Sequence, residues 1–268
     1  MSLYIESLDG IRYDLNEYGL RPLPLEIDSL SPRNESEVID GRDGHIDIET
    51  TYDGRSMRAS FLLQSTNIDE FSVRRNQVFK LFDGKTYFYI LEKHLPNRRW
   101  KVRTESKFKP EKINPSTGMF DIEFISQSPY SESIGSTLNP SYLDGYLQVS
   151  TNEPVEYVFK DITKFSIWND GDIAIDPRER PLKILFNGLS NDLIIKNLTN
   201  GNEWSYNAVT FLGQNITIDG IRSLKDGISI FKDTNKNLIT LETGMNNFEI
   251  VNAISPFTIS FDFRFYYI

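Results

Sequence analysis

The sequence has no cysteine among its 268 residues, which excludes disulfide bonds, cysteine-based zinc sites and thiol nucleophiles. Histidine is almost absent: only His45 and His94 occur, so a histidine general base or a histidine-rich metal site has two candidates at most. No apolar run approaches the roughly 20 residues of a membrane-spanning helix. We therefore expect no membrane partner and no catalytic, cofactor or metal site.

Acidic residues outnumber basic ones, with 38 Asp and Glu against 29 Lys and Arg, a formal net charge of −9. Both halves share the excess: residues 1–134 hold 18 basic and 22 acidic residues, and residues 135–268 hold 11 and 16. Nucleic-acid binding draws much of its affinity from neutralised phosphates, so we expect no nucleic-acid partner. Hydrophobic residues at 39% and aromatic residues at 13% are enough for packed cores.

Alternating apolar and polar residues predict strands along the first half. The clearest signal is a hairpin over residues 45–64 that turns at Asp53-Gly54, because Asp-Gly between alternating runs favours a type I′ turn. One helix is predicted next, with Asn67 or Thr66 as N-cap and Gly84 as C-terminal cap. Its apolar stripe is expected to be Ile68, Phe71, Val78, Leu81 and Phe82.

A segment rich in Ser, Pro, Gly and Asn, residues 127–141, has the composition of a linker. We place a domain boundary there, giving domains 1–134 and 135–268. The second domain shows no long helix but many short strand candidates, among them residues 172–175 and 238–242, separated by turn signals such as Asn187-Gly188. This spacing predicts an antiparallel β-sandwich or jelly roll.

The final strand of that domain alternates with period two. Its inward side is expected to be apolar: Ile259, Phe261, Phe263, Phe265 and Tyr267. Asp262 and Arg264 lie on the polar side, two residues apart, where they can form an ion pair.

Three local patterns imitate functional motifs. Asp83-Gly-Lys-Thr86 looks like the end of a phosphate-binding loop, but Phe79 stands where the first glycine is required, so a helix cap is the better reading. Residues 233–237 resemble the start of a calcium loop, without its later glycine and glutamate, and read as a polar turn. Trp168, Trp204 and Tyr206 would suit a sugar-binding platform if exposed, although core packing is the commoner role of tryptophan.

Charge is segregated within the first domain. A basic stretch over residues 93–112 includes Arg98, Arg99, Lys101 and Arg103, and an acidic segment before it includes Glu35, Glu37, Asp40 and Asp43. A solvated hairpin surface is the plain interpretation. The functional alternative is a complementary contact between neighbouring copies, which closes into a ring when the rotation permits.

The order of short motifs resembles that of siphophage distal tail proteins. The matching motifs run through nearly the whole chain: Gly10-Ile-Arg-Tyr-Asp14, Gly41-Arg-Asp-Gly-His45, Trp100-Lys-Val-Arg103, Ser128-Pro-Tyr130, Ile218-Asp-Gly-Ile221 and Phe261-Asp-Phe-Arg-Phe-Tyr266. No single motif decides the resemblance; the collinear order carries it.

The resemblance implies a mainly β fold. Its N-terminal ring-forming domain would combine a β-sandwich, one helix and an extended hairpin, and its C-terminal domain would be a galectin-like or carbohydrate-module-like sandwich. Such proteins form rings, usually hexameric, that join the tail tube protein to the tail-associated lysin-type protein and the receptor-binding protein.

We therefore expect a non-enzymatic hub at the virion tail tip, made in the bacterial host cytoplasm, without catalytic residues or cofactors. The alternative is a carbohydrate-binding protein that recognises the host surface through its second domain. A hydrolase, which would need an acidic pair in a deep cleft, is the third candidate.

Overall fold

The computed structural model describes residues 3–95, 97–138 and 155–268. It divides into two compact units, Met1–Glu132 with Ile268, and Ser133–Tyr267. Both units are built mainly from antiparallel strands, so the prediction of a mainly β fold is confirmed. Within the described residues, none of the helices combines the length and the apolar character that a membrane crossing requires.

The first unit contains a 14-residue helix, α1 (Ile68–Leu81). Its strands are β1 (Leu3–Ser7), β2 (Arg12–Tyr13), β3 (Leu20–Ile27), β4 (Pro32–Glu37), β5 (Ile46–Tyr52), β6 (Arg55–Gln64), β7 (Phe88–Glu92), β8 (Arg98–Thr104), β9 (Glu111–Asn114) and β10 (Thr117–Ser126). A further short strand, β11 (Ser131–Ser133), follows them.

The main sheet of this unit has the order β2-β1-β7-β8-β10-β6-β3. Strand β10 pairs with β6 along its whole length, while β8 and β9 share its other edge. Alternate residues of β10, such as Phe120, Ile122 and Phe124, are buried because successive side chains leave opposite faces of a strand. Aromatic rings fill the core, with Phe61 and Phe120 stacked at 5.5 Å between centroids.

The predicted hairpin over residues 45–64 is wrong in its pairing. Both strands exist, but β5 pairs with β4 in a separate two-stranded sheet, and β6 pairs with β3 and β10. Gly54 does not adopt the left-handed conformation that a type I′ turn needs. A Cβ at that position would lie 2.4 Å from the carbonyl oxygen of Ser126, so the glycine serves a close backbone approach.

The helix prediction is confirmed at its start and corrected at its end. Asn67 Oδ1 accepts hydrogen bonds from the backbone N–H groups of Asp69 and Glu70, as an N-cap does. Helix α1 ends with Phe82 at the C-cap position, so Gly84 lies beyond the cap, although its φ is positive. Ile68 is exposed rather than part of the buried stripe.

The second unit contains two long strands, β14 (Leu182–Asn197) and β19 (Gly244–Phe263), which pair with each other. The remaining strands are β12 (Val158–Lys160), β13 (Lys164–Asn169), β15 (Asn202–Thr210), β16 (Asn215–Asp219), β17 (Arg222–Lys225), β18 (Ile228–Ser229) and β20 (Tyr266–Tyr267). Residues Phe231–Asp233 form a short 3-10 helix. Sequence patterns missed β13 and β17.

Strand β19 folds back on itself, and this produces two layers. Phe248 and Phe261 are 13 residues apart on this strand, a distance of about 43 Å in a straight one. Their ring centroids nevertheless lie 4.8 Å apart. The register of β14 with β19 shifts at Gly188 and again after Ser190, so β14 bends beside it. The predicted sandwich is therefore built from continuous strands that cross from one layer to the other.

Three local expectations for this unit are wrong. The sequence predicts a turn at Asn187-Gly188, but the pair lies inside β14, where a Cβ on Gly188 would lie 2.5 Å from Cβ of Phe257. Residues 172–175 and 238–242 were expected as strands; they are joined only by an isolated bridge between Ile175 and Leu241.

The final strand is buried as expected on its apolar side, where Ile259, Phe261, Phe263, Phe265 and Tyr267 are all in the core. Arg264 does not pair with Asp262; it donates hydrogen bonds to the carbonyl oxygens of Ser133 and Ile134. Thr137 likewise donates to the carbonyl oxygen of Phe261 at 2.7 Å. Part of the expected linker, residues 133–137, is therefore attached to the second unit, and residues 139–141 lie outside the described residues.

Candidate functional site

The acidic segment forms an extended hairpin of strands β4 and β5, which we call the acidic hairpin (residues 32–52). It holds six acidic and two basic residues, a formal net charge of −4. The four predicted contact residues Glu35, Glu37, Asp40 and Asp43 are all exposed. Glu35 lies directly opposite Glu49, and like charges at facing positions destabilise an isolated strand pair. A cationic partner would relieve that repulsion.

Local hydrogen bonds hold the acidic hairpin together. Arg33 donates from Nε to Thr51 Oγ1 at 3.2 Å, and Thr50 Oγ1 donates to Asn34 Oδ1 at 2.9 Å. At the turn, the backbone N–H of Arg42 donates to the carbonyl oxygen of Ile39. Hydrogen bonds between its own residues therefore stabilise the acidic hairpin, although nearly all of its residues are exposed.

Apolar side chains are exposed on the same hairpin. Val38 is 72% exposed and Ile48 is 62% exposed, with Ile39 and Ile46 also open to solvent. A hairpin of two strands is marginally stable by itself. Exposed aliphatic residues on such an element, rimmed by charge, are typical of a surface that another molecule covers.

The basic stretch contains strand β8, whose residues alternate between core and outer face. Trp100 and Val102 are buried in the core of the first unit. Arg99, Lys101 and Arg103 leave the opposite face of the strand.

The structure distinguishes these cations by their surroundings. The side chain of Arg99 is 11% exposed and lies 2.7 Å from Glu132 Oε1 and 3.6 Å from Glu6 Oε1. Its guanidinium also stacks on the Tyr89 ring at 3.6 Å. Arg98 is half-buried at the start of β8, where its backbone N–H donates a hydrogen bond to the carbonyl oxygen of Leu95. Arg99 thus has partners within its own unit.

Lys101 and Arg103 are the two solvent-exposed cations among the four predicted basic contact residues. Both are exposed, and each holds its charged group 5.6 Å from the centre of the Tyr87 ring. A cation over an aromatic face keeps its charge available to a partner while its position is restricted. These two residues form the exposed end of the basic strand.

The motif-like segments have local structural roles. Asp83 Oδ1 accepts hydrogen bonds from the N–H groups of Lys85 at 2.9 Å and Thr86 at 3.2 Å, which closes a turn after the helix. The calcium-like segment begins in the short 3-10 helix. Among the described residues, His, Asp and Glu nowhere cluster in a way that could hold a metal ion.

The two tryptophans of the second unit differ in exposure. Trp204 is buried, and its Nε1 donates to Ser223 Oγ at 3.1 Å. Trp168 is half-buried, and its Nε1 donates to Asp170 Oδ1 at 3.2 Å. Trp204 therefore cannot serve as a platform for sugar rings.

Comparison with known proteins adds to this geometry. Residues 8–126, which include the acidic hairpin, the helix and the basic strand, match the phage tail protein RIFT-related domain. This part of the chain is therefore similar to that phage tail domain. No curated protein matches the chain in sequence.

The SPP1 match below shows a shared fold over nearly the full length. The Dit protein of phage SPP1 is 13% identical, with a TM-score of 0.71 over 99% of this chain and 100% of that one. A chain of the phage p2 baseplate in its activated conformation with strontium is 10% identical, with a TM-score of 0.45 over 98% of this chain and 97% of that one. The resemblance to siphophage distal tail proteins is confirmed by the domain match over residues 8–126 and by the fold shared with the SPP1 protein.

Proposed function

We propose that this protein is a structural hub of a phage tail tip or baseplate, and that copies of it assemble into a ring through the first unit. The observation that carries the proposal is the acidic hairpin, which exposes both carboxylates and aliphatic side chains, in the same unit as the open cations of the basic strand. The match of residues 8–126 to the phage tail protein RIFT-related domain supports a place in the tail. The SPP1 protein of the same fold is described as a paradigm of the hub adsorption apparatus in phages that infect Gram-positive bacteria.

The proposed contact is heterologous, because the acidic surface and the basic surface are different parts of one molecule. Such contacts close into a ring when the rotation per copy permits, and otherwise give filaments. The acidic residues Glu35, Glu37, Asp40 and Asp43 would meet Lys101 and Arg103 of the neighbouring copy, and Arg98 and Arg99 would support that surface from within.

The two units have separate tasks in this proposal. The first, residues 1–134, forms the ring and contacts the tail tube protein; the second, residues 135–268, offers docking surface to the tail-associated lysin-type protein and the receptor-binding protein. The ring is hexameric, and its work is done by docking rather than catalysis. With Trp204 buried, we do not extend the proposal to carbohydrate binding.

The test is the mass of the purified protein by analytical ultracentrifugation over a range of concentrations, together with negative-stain images. We expect closed rings of six copies. A protein that stays monomeric up to about 1 mM, where even weak specific association is populated, would contradict ring assembly as its function.

A further inference from the structure

The acidic hairpin has few contacts with the rest of the first unit. Every residue from 31 to 50 is exposed. Among the described residues, strands β4 and β5 pair only with each other. At the base of the hairpin, the backbone N–H of Asp53 donates to the carbonyl oxygen of Ser31 at 3.0 Å, and Arg33 Nη1 lies 3.4 Å from Asp53 Oδ1. The hairpin therefore gains almost no stability from packing against a core.

The connection between the two strands does not favour a hairpin that folds by itself. It spans residues 38–45, whereas most hairpin loops have only about 2–5 residues. A longer loop raises the entropic cost of bringing the strands together. Gly41 and Gly44 lie in this connection with positive φ, and glycine loses more conformational freedom on folding than any other residue.

The side-chain hydrogen bonds within the hairpin are open to water. The bond from Thr50 Oγ1 to Asn34 Oδ1 joins two exposed groups, and such a bond adds little net stability because it replaces bonds to water. Glu35 faces Glu49, so charge repulsion opposes the strand pairing. A two-stranded hairpin without a buried face is at best marginally stable in water.

We propose that the acidic hairpin is unfolded in a free copy of this chain and folds when a neighbouring copy covers it. The inference rests on the proposed ring and describes how formation of that ring is controlled. The neighbour supplies what the hairpin lacks in isolation. It removes exposed aliphatic side chains such as Val38 and Ile48 from water, and its Lys101 and Arg103 bring positive charge to the facing carboxylates.

Coupling of folding to assembly keeps free copies apart. A copy whose hairpin is folded for only a fraction of the time binds its neighbour more weakly, in proportion to that fraction. A pair of copies held by one such contact is therefore short-lived. In a closed ring every hairpin is covered, and the last contact forms within one assembly, which makes the ring more stable than open chains of the same copies.

Hydrogen exchange followed by mass spectrometry tests the proposal on the full chain, in samples below and above the concentration of half-assembly. In the free copy, peptides from residues 32–52 should exchange as fast as an unfolded segment does. In the ring the same peptides should exchange at least about a hundredfold more slowly. Peptides from β6, which pairs with both β3 and β10, are the control and should stay protected in both samples.

Two results would overturn the proposal. One is protection of residues 32–52 in the free copy, and the other is a ring in which these residues exchange as fast as in the free copy. Either result, in a protein that forms rings, leaves the hub standing and removes only the coupled folding. Ultracentrifugation of the same samples identifies the other failure, because absence of rings contradicts the hub itself.

A disulfide across the hairpin tests the coupling through assembly. Asn34 faces Thr50, and the Cα atoms of facing residues in antiparallel strands lie about 4.5–5.5 Å apart, within the range of a disulfide. Asn34→Cys with Thr50→Cys, in a chain that has no other cysteine, should lower the concentration of half-assembly about tenfold on oxidation, because the hairpin is then folded in advance. The reduced form of the same protein is the reference.

The matched control is Ser166→Cys with Asn247→Cys in the second unit. These residues also face each other, and Ser166 Oγ donates to Asn247 Oδ1 at 2.7 Å. Oxidation of this pair should leave assembly unchanged, because its strands belong to a sheet that is folded in every copy. A hairpin pair that assembles equally well, or less well, in its oxidised form is the result that rules out the coupling.

Discussion

Asn197 donates a hydrogen bond from Nδ2 to Oδ1 of Asn246 at 3.0 Å, and both side chains are completely buried in the second unit. The two residues also bind the backbone of the segment between β18 and β19: Asn197 donates to the carbonyl oxygen of Thr240 at 2.9 Å, and Asn246 donates to that of Glu242 at 2.8 Å. Hydrogen bonds from these side chains thus hold the segment in place, where backbone hydrogen bonds between strands would otherwise do so.

We predict that Asn246→Ala lowers the free energy of unfolding by about 2–3 kcal/mol, because buried backbone groups lose their partners. Asn237→Ala, on an exposed residue of a neighbouring loop, should change it by less than about 0.5 kcal/mol. Urea denaturation followed by tryptophan fluorescence measures both. Equal effects would show that the asparagine pair does not hold the segment.

Arg99 should matter for stability more than for assembly. Arg99→Met leaves the carboxylates of Glu6 and Glu132 close together with little solvent, and we expect a loss of about 3 kcal/mol. Arg103→Met removes an exposed cation of the same strand and should cost less than about 0.5 kcal/mol. Thermal or urea unfolding distinguishes the two variants, and a stable Arg99→Met protein would contradict this assignment.

The exposed cations should matter for assembly. Lys101→Glu with Arg103→Glu is expected to raise the concentration for half-assembly at least about tenfold, because like charges would then face each other across the contact. Combining these changes with Glu35→Lys and Glu37→Lys should restore assembly. The matched control, Lys160→Glu with Lys232→Glu, alters exposed lysines of the second unit.

Sedimentation velocity at low salt measures all three proteins, since added salt weakens contacts between exposed charges. Normal rings in the first variant, or no recovery in the combined one, would contradict the proposed pairing of acidic hairpin and basic strand.

Glu70 makes the first unit sensitive to acid. Hydrogen bonds from the hydroxyl and the N–H of Thr66, followed by those from Arg74, lower the pKa of Glu70 from 4.5 to about 2. Because the folded-state pKa is depressed, the stabilisation is present above pH 4.5 and is lost as the pH falls towards 2.

Glu70→Gln should therefore destabilise the protein at pH 7, and the difference from the natural protein should shrink between pH 5 and pH 2, in the window that these pKa values define. Urea denaturation at several pH values tests this expectation. A difference that stays constant with pH would mean that the charge of Glu70 is not responsible.

Local signals in the sequence predict where the helix and the strands lie better than they predict which strands pair with each other. Periodicity identified the helix and most strands, and residue type limited the N-cap to Thr66 or Asn67, of which the structure uses Asn67. The Asp53-Gly54 pattern failed because the sequence favours a local turn, whereas β6 takes its main partner, β10, from about 60 residues further along the chain. Pairing at that separation depends on the whole core and not on any short segment.

For the candidate site, too, the sequence predicts which segments are charged but not which residues contact each other. Charge segregation identified the acidic hairpin and the basic strand, but it could not separate Arg99, which binds carboxylates of its own unit, from Lys101 two residues later. Strand alternation places both on one face. Nothing in the spacing of Asn197 and Asn246 along the sequence indicates that the two residues meet in the core.

The central position of β19 has a consequence for biosynthesis. This strand pairs with β12, β13 and β14, so a nascent chain that has not yet produced residues 244–263 lacks the middle of the second sheet. Until then β14 lacks the strand that pairs with it from Leu182 to Asn197, and a ribosome-bound intermediate would leave that edge open to chaperones or to other chains. The first unit contains its own core and can fold before that point. Synthesis and folding of the second unit are thereby coupled to its last long strand.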